Sequence, residues 1–514
     1  RNWSFDTGEN SNWCLLVRAS SIDIRLVPLA ISSWLCTWGA LNRAPFLLCA
    51  GICIAFLFPV LLAPRGFQGL GRERVSECAP LFIVTICLCC TCIVISSSRA
   101  TSWEDEARQL CAQGKELRDA SFVLLGEVRE GKKATNTRNK PSHYVRARFL
   151  GSKEHLSFLL VSTRESMTTL RRGDRVLASG TCDLNWAHGI PNVGALRIKS
   201  LERLPPNGHW TRISQAVRRN LEKVVVTLPE HARALIPGMS LGDDHQASAQ
   251  MRDDMKTASF AHLTAVSGTH MSILMMTVGL LATKKRRIAI IIQVSVLLLF
   301  AGLVGPASSV LRSFAVSVIG FIGMWSNREG GIYSSLSTVI ILACLISPYD
   351  ACALGFTLSV LATWGVSVAA LWIETGVTQV TPIPQSVQSG IEWSVKLISV
   401  PLGAQLATLP IMLSMNSWVS PWAIPAQLLI APLVTPVTVG CFISALAAQI
   451  WPALGYVCAW LTSWGTAWIS MVASRLSALP GARITVGEWS GLITVVVLLL
   501  LIWVVRVKIR RFSS

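Results

Sequence analysis

A polytopic α-helical membrane protein, with a small extracytoplasmic β-barrel inserted between two groups of spans, is the fold class this chain predicts. Composition is the first reason. Of 514 residues 52% are hydrophobic and only 14% charged, with a mean hydropathy of +0.51, more apolar surface than a soluble core of this size could hide from water. Interruption is the second. Runs long enough to cross a hydrocarbon core of ~30 Å occur near 26–41, 45–63 and 79–96, then stop, and resume only at 258.

The later runs lie near 258–282, 287–304, 307–325, 333–347, 351–373, 393–414, 419–443, 452–475 and 487–505, which makes about twelve spans. Basic residues near span ends stay cytoplasmic. Arg65, Arg72 and Arg74, then Lys284-Lys285-Arg286-Arg287, then Arg328, then Arg506, Lys508, Arg510 and Arg511 fall on one side if the spans number twelve. Both termini are then cytoplasmic in a multi-pass protein of the cytoplasmic membrane. The expected units are N-terminal spans (1–96), an outward domain (97–205), amphipathic surface helices (206–257) and a second group of spans (258–514).

The outward domain reads differently from everything around it. After a short helix at Trp103–Asp119, alternating apolar residues mark strands at Ser121–Arg129, His143–Phe149, His155–Val161, Asp174–Ser179 and Ala195–Leu201, with Gly131, Pro141, Gly151, Gly173 and Gly180 between them. Five short strands suggest a closed OB-like barrel. Lys132, Lys133, Arg138, Lys140, Arg146, Arg148, Arg171 and Arg172 make it positive, and such a field draws nucleic acid or anionic lipid alike. A merely solvated surface explains the same charges, because single-strand binding also wants exposed aromatics and few candidates, such as Tyr144, Phe149, Phe158 and Trp186, are at hand.

Cysteine usage divides by compartment. Cys87, Cys89, Cys90 and Cys92 sit in an apolar run with no histidine or carboxylate, so packing or lipid contact explains them and no metal is expected. Cys111 and Cys182 are the two in the outward domain, where oxidation is permitted and a disulfide would tie the leading helix to the barrel. In 212–257, Ala216, Val217, Leu221, Val224 and Val225 form an apolar stripe opposite Arg218, Arg219 and Lys223, as expected of helices lying on the outer face. Asp243 and Asp244 read as a helix N-cap rather than a metal site.

The most informative polar residues lie within the apolar run that begins at 258: His262, Ser267, Gly268 and His270, followed later by Arg312 and Gln405. Polar groups at membrane depth are expensive and are functional by default. A bland reading has each histidine bonding a neighbouring carbonyl and Arg312 snorkelling.

Leu241-Gly242-Asp243, then His262 to His270, then Gly305-Pro306 through Arg312, Ser347-Pro348 leading into Gly355 to Ser359, Ala404-Gln405 to Pro410 and Asn416 to Pro425 stand in an order that resembles the ComEC competence channel family. The resemblance implies uptake of single-stranded DNA across the cytoplasmic membrane in natural transformation. It also implies pore-lining roles for His262, Ser267, Gly268, His270, Arg312 and Gln405, and DNA contact by the basic barrel residues.

No glycine-lysine pair here, Gly114-Lys115 or Gly131-Lys132, is followed by serine or threonine, so no phosphate-binding loop is present. A separate ATPase motor and DNA receptor are therefore expected as partners, with the bilayer and a homo-oligomer also open. Many members of the resembled family continue into a metallo-β-lactamase-like domain. This chain reaches Ser514 without one, and its histidines show no close pair of the kind a two-metal hydrolase needs, so neither catalysis nor a cofactor is expected. Two other classes compete: an exporter of a small or lipid-linked molecule, which also uses a Gly-interrupted polar helix, and, more weakly, an intramembrane hydrolase using Ser267 with His270.

Overall fold

The computed structural model describes residues 26–487 apart from short stretches, chiefly 55–71, 131–142, 184–193, 326–331 and single positions such as 265 and 267. The expected span at 487–505, most of that at 45–63, Ser267, Lys132, Lys133, Arg138 and Lys140 lie outside the described residues.

Helix α1 (Leu26–Leu41) packs against α2 (Arg72–Ala112), a 41-residue helix that runs straight out of its apolar part into the polar segment beyond. The separate short helix expected at Trp103–Asp119 is thus the end of α2, and Glu116 already begins a strand.

The strands are β1 (Glu116–Leu124), β2 (Arg129–Glu130), β3 (His143–Phe149), β4 (Ser157–Ser162), β5 (Arg175–Asp183) and β6 (Gly194–Leu204). They run in the order β1-β5-β6-β4-β3-β2, and β1 also pairs with β3, closing β1, β3, β4, β6 and β5 into a barrel with β2 at its rim. All pairs are antiparallel except β4 with β6. This is the five-stranded, OB-like form expected. Phe122, Phe158, Leu160 and Val145 fill the interior, with Phe122 and Phe158 edge to face at 6.0 Å, because alternate residues of each strand point inward.

Gly180 sits where the β5–β6 register shifts, and an added Cβ would fall 2.1 Å from the Arg197 carbonyl oxygen. Only glycine permits that bulge. Cys111 at the end of α2 is joined to Cys182 of β5 as a disulfide, with Cα atoms 5.8 Å apart.

Helices α3 (His209–Val225), α4 (Glu230–Leu241) and α5 (Ala249–Thr257) follow. Beyond them come α6 (Gly268–Leu281), α7 (Arg286–Val304), α8 (Ser308–Trp325), α9 (Ile332–Ile346), the short α10 (Pro348–Ala351), α11 (Leu354–Val380) and α12 (Gln385–Met415). The chain ends its described part with β7 (Trp418–Val419), α13 (Ala423–Ile450), α14 (Pro452–Ser477) and β8 (Ile484–Thr485), which pairs with β7.

Among the described residues three helical segments, Val84–Cys111, Arg287–Val304 and Ala423–Ile450, are long and apolar enough to cross a membrane; Leu26–Leu41, Gly268–Leu280, Tyr333–Ile346, Leu354–Ser367 and Ile398–Ser414 are apolar but shorter. Two findings depart from the sequence reading. Helix α6 starts at Gly268, not 258, because Ser259 takes a left-handed φ of 61° and breaks the chain into turns. And α3–α5 do not lie bare on a surface: Leu221, Leu235, Ile236, Met239 and Met255 share one buried core with Ala426, Val437, Ile469 and Val472 of α13 and α14.

Candidate functional site

Arg312 stands in the second turn of α8, 5% exposed. Its Nη2 donates to Ser313 Oγ at 3.0 Å and its Nη1 to Thr363 Oγ1 of α11 at 3.3 Å. Its Nε has no hydrogen-bond partner among the described residues. Among the described residues its bonds are to two hydroxyls and to no carboxylate.

Gly268 supplies the room for it. A Cβ there would meet Arg312 Nη2 and Ser313 Oγ at 2.9 Å, so the first residue of α6 and the second turn of α8 touch through the guanidinium. The two helices present their N-terminal ends, where the backbone dipoles are positive, to the same place. His270 is fully buried in the first turn of α6.

The other expected pore residues are placed differently. His262 lies in the turns before α6, its Nδ1 2.9 Å from the Ser259 carbonyl oxygen, so it stands outside the helix that carries Gly268 and His270. Gln405 is half-buried on α12, and the hydroxyls that receive Arg312 come from Ser313 and Thr363 instead.

A second polar cluster joins the barrel to the helices, and most of its members carry no role in the sequence reading. Arg218, expected on the polar stripe of its helix, is 7% exposed. Its guanidinium donates to the carbonyls of Leu241 (3.1 Å) and Val304 (3.3 Å) and pairs with Asp243 at 3.5 Å. It thereby caps the C-terminal ends of both α4 and α7, where unsatisfied carbonyls and the negative dipole end favour a cation.

Asp243 does not cap α5. That role belongs to Ser248, which accepts from the Met251 backbone N–H at 3.1 Å. Instead Gly242 turns left-handed at φ 70°, ending α4, and sends Asp243 back inward, 2.6 Å from His245 Nδ1. Burial opposes ionisation of Asp243, but the bond to His245 and the charges of Arg218 and Arg171 outweigh it and hold the carboxyl at about 2. His245 shows the mirror balance: burial lowers its pKa, yet Asp243 and Glu222, the latter 3.3 Å from Nε2, raise it above the ordinary value.

Arg171 of the barrel makes a two-pronged pair with Glu222 of α3, at 2.6 and 2.5 Å. Burial pushes the Glu222 pKa up, and Arg171 more than reverses it. Buried Asp174 accepts from Arg203 at 2.9 Å and from Gln215 of α3 at 3.1 Å. So Arg171, expected to contact nucleic acid, ties the barrel to α3. Arg172 lies beside Gly242. Arg146 is half-buried, and its pKa falls through burial despite the Asp350 carboxylate of α10; Arg148 follows it two residues on, on the same face of β3.

The family described as Competence protein matches residues 239–511, more than half of the chain. The chain belongs to this family. The family segment opens inside α4 and takes in Gly242, Asp243, Gly268, His270 and Arg312, while the barrel precedes it. ComE operon protein 3 of Bacillus subtilis (strain 168) is 25% identical over 342 residues, which cover 64% of this chain and 41% of that relative's length. The chain therefore aligns with less than half of that relative. No solved structure matches.

Proposed function

We propose that this competence-family chain forms a path for single-stranded DNA through the cytoplasmic membrane in natural transformation, without chemistry of its own. The observation that carries the reading is Arg312: a buried cation in the family segment, held by neutral hydroxyls, at the joined N-termini of α6 and α8.

A strand brings one phosphate per ~3.4 Å in the stacked limit, so several charges would occupy the membrane at once. Each costs at least a few kcal/mol against lipid, and a fixed cation with two helix N-termini offsets part of that cost at one point on the route. A carboxylate partner would cancel this attraction; two hydroxyls leave it in place. Gly268 shapes the same place, with His270 two residues on in α6, and Ser267 and Gln405, as further proposed lining.

Inward movement of a phosphate against an inside-negative potential costs ~2.3 kcal/mol per 100 mV. A separate motor supplies that work, and a DNA receptor delivers the strand. The orientation that fits is multi-pass with both termini cytoplasmic and the basic barrel outside, where oxidation to the Cys111–Cys182 bridge is permitted. DNA contact by the barrel then rests on Lys132, Lys133, Arg138 and Lys140, together with Arg146 and Arg148 of β3, while Arg171 is held by Glu222 and Arg172 lies against Gly242.

The test is uptake of labelled single strands by cells carrying Arg312→Ala or Arg312→Lys, with membrane accumulation measured in parallel. Arg312→Ala is expected to lower uptake at least tenfold at normal accumulation, and Arg312→Lys to retain part of it. Normal uptake by the alanine variant would sink the assignment.

A further inference from the structure

Helix α14 is built inside out. From Gly455 to Thr466 its buried side is small or hydroxylated, with Gly455, Ala459, Thr462, Ser463 and Thr466, before Ile469 and Val472 join the core, and its exposed side is large and apolar, with Val457, Trp460, Leu461, Trp464, Trp468 and Met471. Trp464 is 69% exposed and Leu461 60%. In water this pattern would be reversed. Small residues inside and large apolar ones outside are what a lipid-facing helix shows.

Its companions decide how it meets lipid. Helices α13 and α14 form a tight hairpin, in which a Cβ on Gly455 would fall 2.7 Å from Ala448 Cα and one on Gly440 2.5 Å from Thr462 Oγ1. The side of this hairpin away from the exposed stripe is covered from end to end by α3–α5. Gln449 at the hairpin's turn accepts from Asn220 of α3 at 3.0 Å, His231 of α4 sits 3.1 Å from Thr466, and Ser477 at the far end donates to Asp254 of α5 at 2.7 Å. Were the hairpin to cross the bilayer, this covering layer, with Arg219, Glu222, Lys223, Asp253 and Asp254, would be carried into hydrocarbon.

Tryptophan gives the same answer. Trp460, Trp464 and Trp468 recur every four residues along the exposed stripe, and Val457 to Met471 extends about 21 Å at 1.5 Å per residue. A crossing helix would place the middle of that series at the bilayer centre, whereas tryptophan prefers the headgroup level. A helix lying flat puts all three there at once.

We infer that α13 and α14 form a monotopic hairpin whose tryptophan stripe seats in the headgroup and acyl boundary of the bilayer, with α3–α5 on its watery side. Nucleic acid is a poor occupant, because no lysine or arginine lies between Pro452 and Ser474 to meet phosphate. The inference does not depend on the transport reading. It also replaces two of the spans expected from sequence, 419–443 and 452–475, and since two crossings are removed together, the sidedness expected for the remaining spans is unchanged.

The test uses the full chain in right-side-out and inside-out membrane vesicles. Ala453→Cys and Ser474→Cys, both at exposed positions, are reacted with an impermeant thiol mass tag, with the unsubstituted protein as baseline. Flat seating predicts that both tag from the same side; tagging from opposite sides overturns it. In a second arm a photoreactive residue replaces Trp464 in full-length protein held in phosphatidylglycerol–phosphatidylethanolamine nanodiscs. A lipid adduct is expected. An adduct to a second copy or to added single-stranded DNA, or reaction with solvent alone, overturns the bilayer as the occupant.

Discussion

Arg218 and Arg312 are buried to nearly the same degree, 7% and 5% exposed, in two regions that treat a buried charge in opposite ways. At the junction of the barrel and α3–α5, Arg218 meets a carboxylate and the carbonyl ends of two helices. Among α6, α8 and α11, Arg312 meets two hydroxyls. A fully satisfied cation holds elements in place. A cation whose described partners are two neutral hydroxyls keeps a field of its own, and the proposed DNA path rests on that. Burial alone therefore does not separate the two arginines; the inventory of their partners does.

The largest effect should come from breaking the satisfied cluster. Arg218→Ala takes the guanidinium from buried Asp243, leaving it to His245 and the charge of Arg171, and removes the cap from α4 and α7, so about 3 kcal/mol of stability should be lost. Membrane accumulation should collapse, or the thermal midpoint of purified protein fall steeply. If Arg218→Ala accumulates and melts like the parent while Arg312→Ala does not, the comparison is reversed.

Next in size is the covalent tie. Cys111→Ser removes a bridge that closes 71 residues between α2 and β5, and a loss of about 2–4 kcal/mol is expected. This should fall on the barrel and spare the Arg312 region. Limited proteolysis of the full chain checks it: faster cleavage within the barrel strands, with α6–α8 cut at the parental rate. Equal acceleration in both regions would show that they do not unfold as separate units.

How much of this contrast the sequence carries depends on the kind of signal involved. Strand β3 is read at its full extent, and α7, α8 and α14 within two or three residues, because period and turn residues are local properties. The start of α6 is missed, because apolarity runs on through 258–267 while a left-handed Ser259 breaks the helix. Arg312 stands out because charge inside an apolar run is conspicuous. Arg218 does not: an amphipathic pattern shows which face of α3 is polar but not that Leu241 and Val304, 23 and 86 residues away, will cover it. Trp460, Trp464 and Trp468 read as span residues in sequence, and the proposed flat seating rests on the layer packed behind them, which no local pattern reveals.

A smaller effect is expected at Gly268. The Cβ of Gly268→Ala would sit 2.9 Å from Arg312 Nη2 and Ser313 Oγ, and both are side-chain ends that can give way, so the fold should lose only about 1 kcal/mol. The guanidinium must move, however. Uptake is expected to fall severalfold at normal accumulation, and unchanged uptake would mean that the exact seat of the cation is immaterial.

The smallest effect should appear as a pH dependence of the satisfied cluster alone. His245 faces Asp243 and Glu222, with Arg171 near, and its pKa is raised above the ordinary 6.5. Its charged form is thus favoured by folding. That contribution is complete below 6.5 and is lost as pH rises through the higher folded value. Asp243, held at about 2 against an ordinary 3.8, contributes fully above 3.8 and loses its share only as pH falls toward 2. Between those limits the junction is tightest. Raising pH from 6 to 9 should therefore lower the thermal midpoint of purified full-length protein slightly and expose the barrel–α3 junction to protease. His245→Gln should flatten that alkaline slope while leaving Arg312-dependent uptake at neutral pH near the parental level. If the slope persists in His245→Gln, the alkaline response arises elsewhere; if uptake follows the slope in the parent, the two regions are coupled, and Arg218 serves the path as well as the fold.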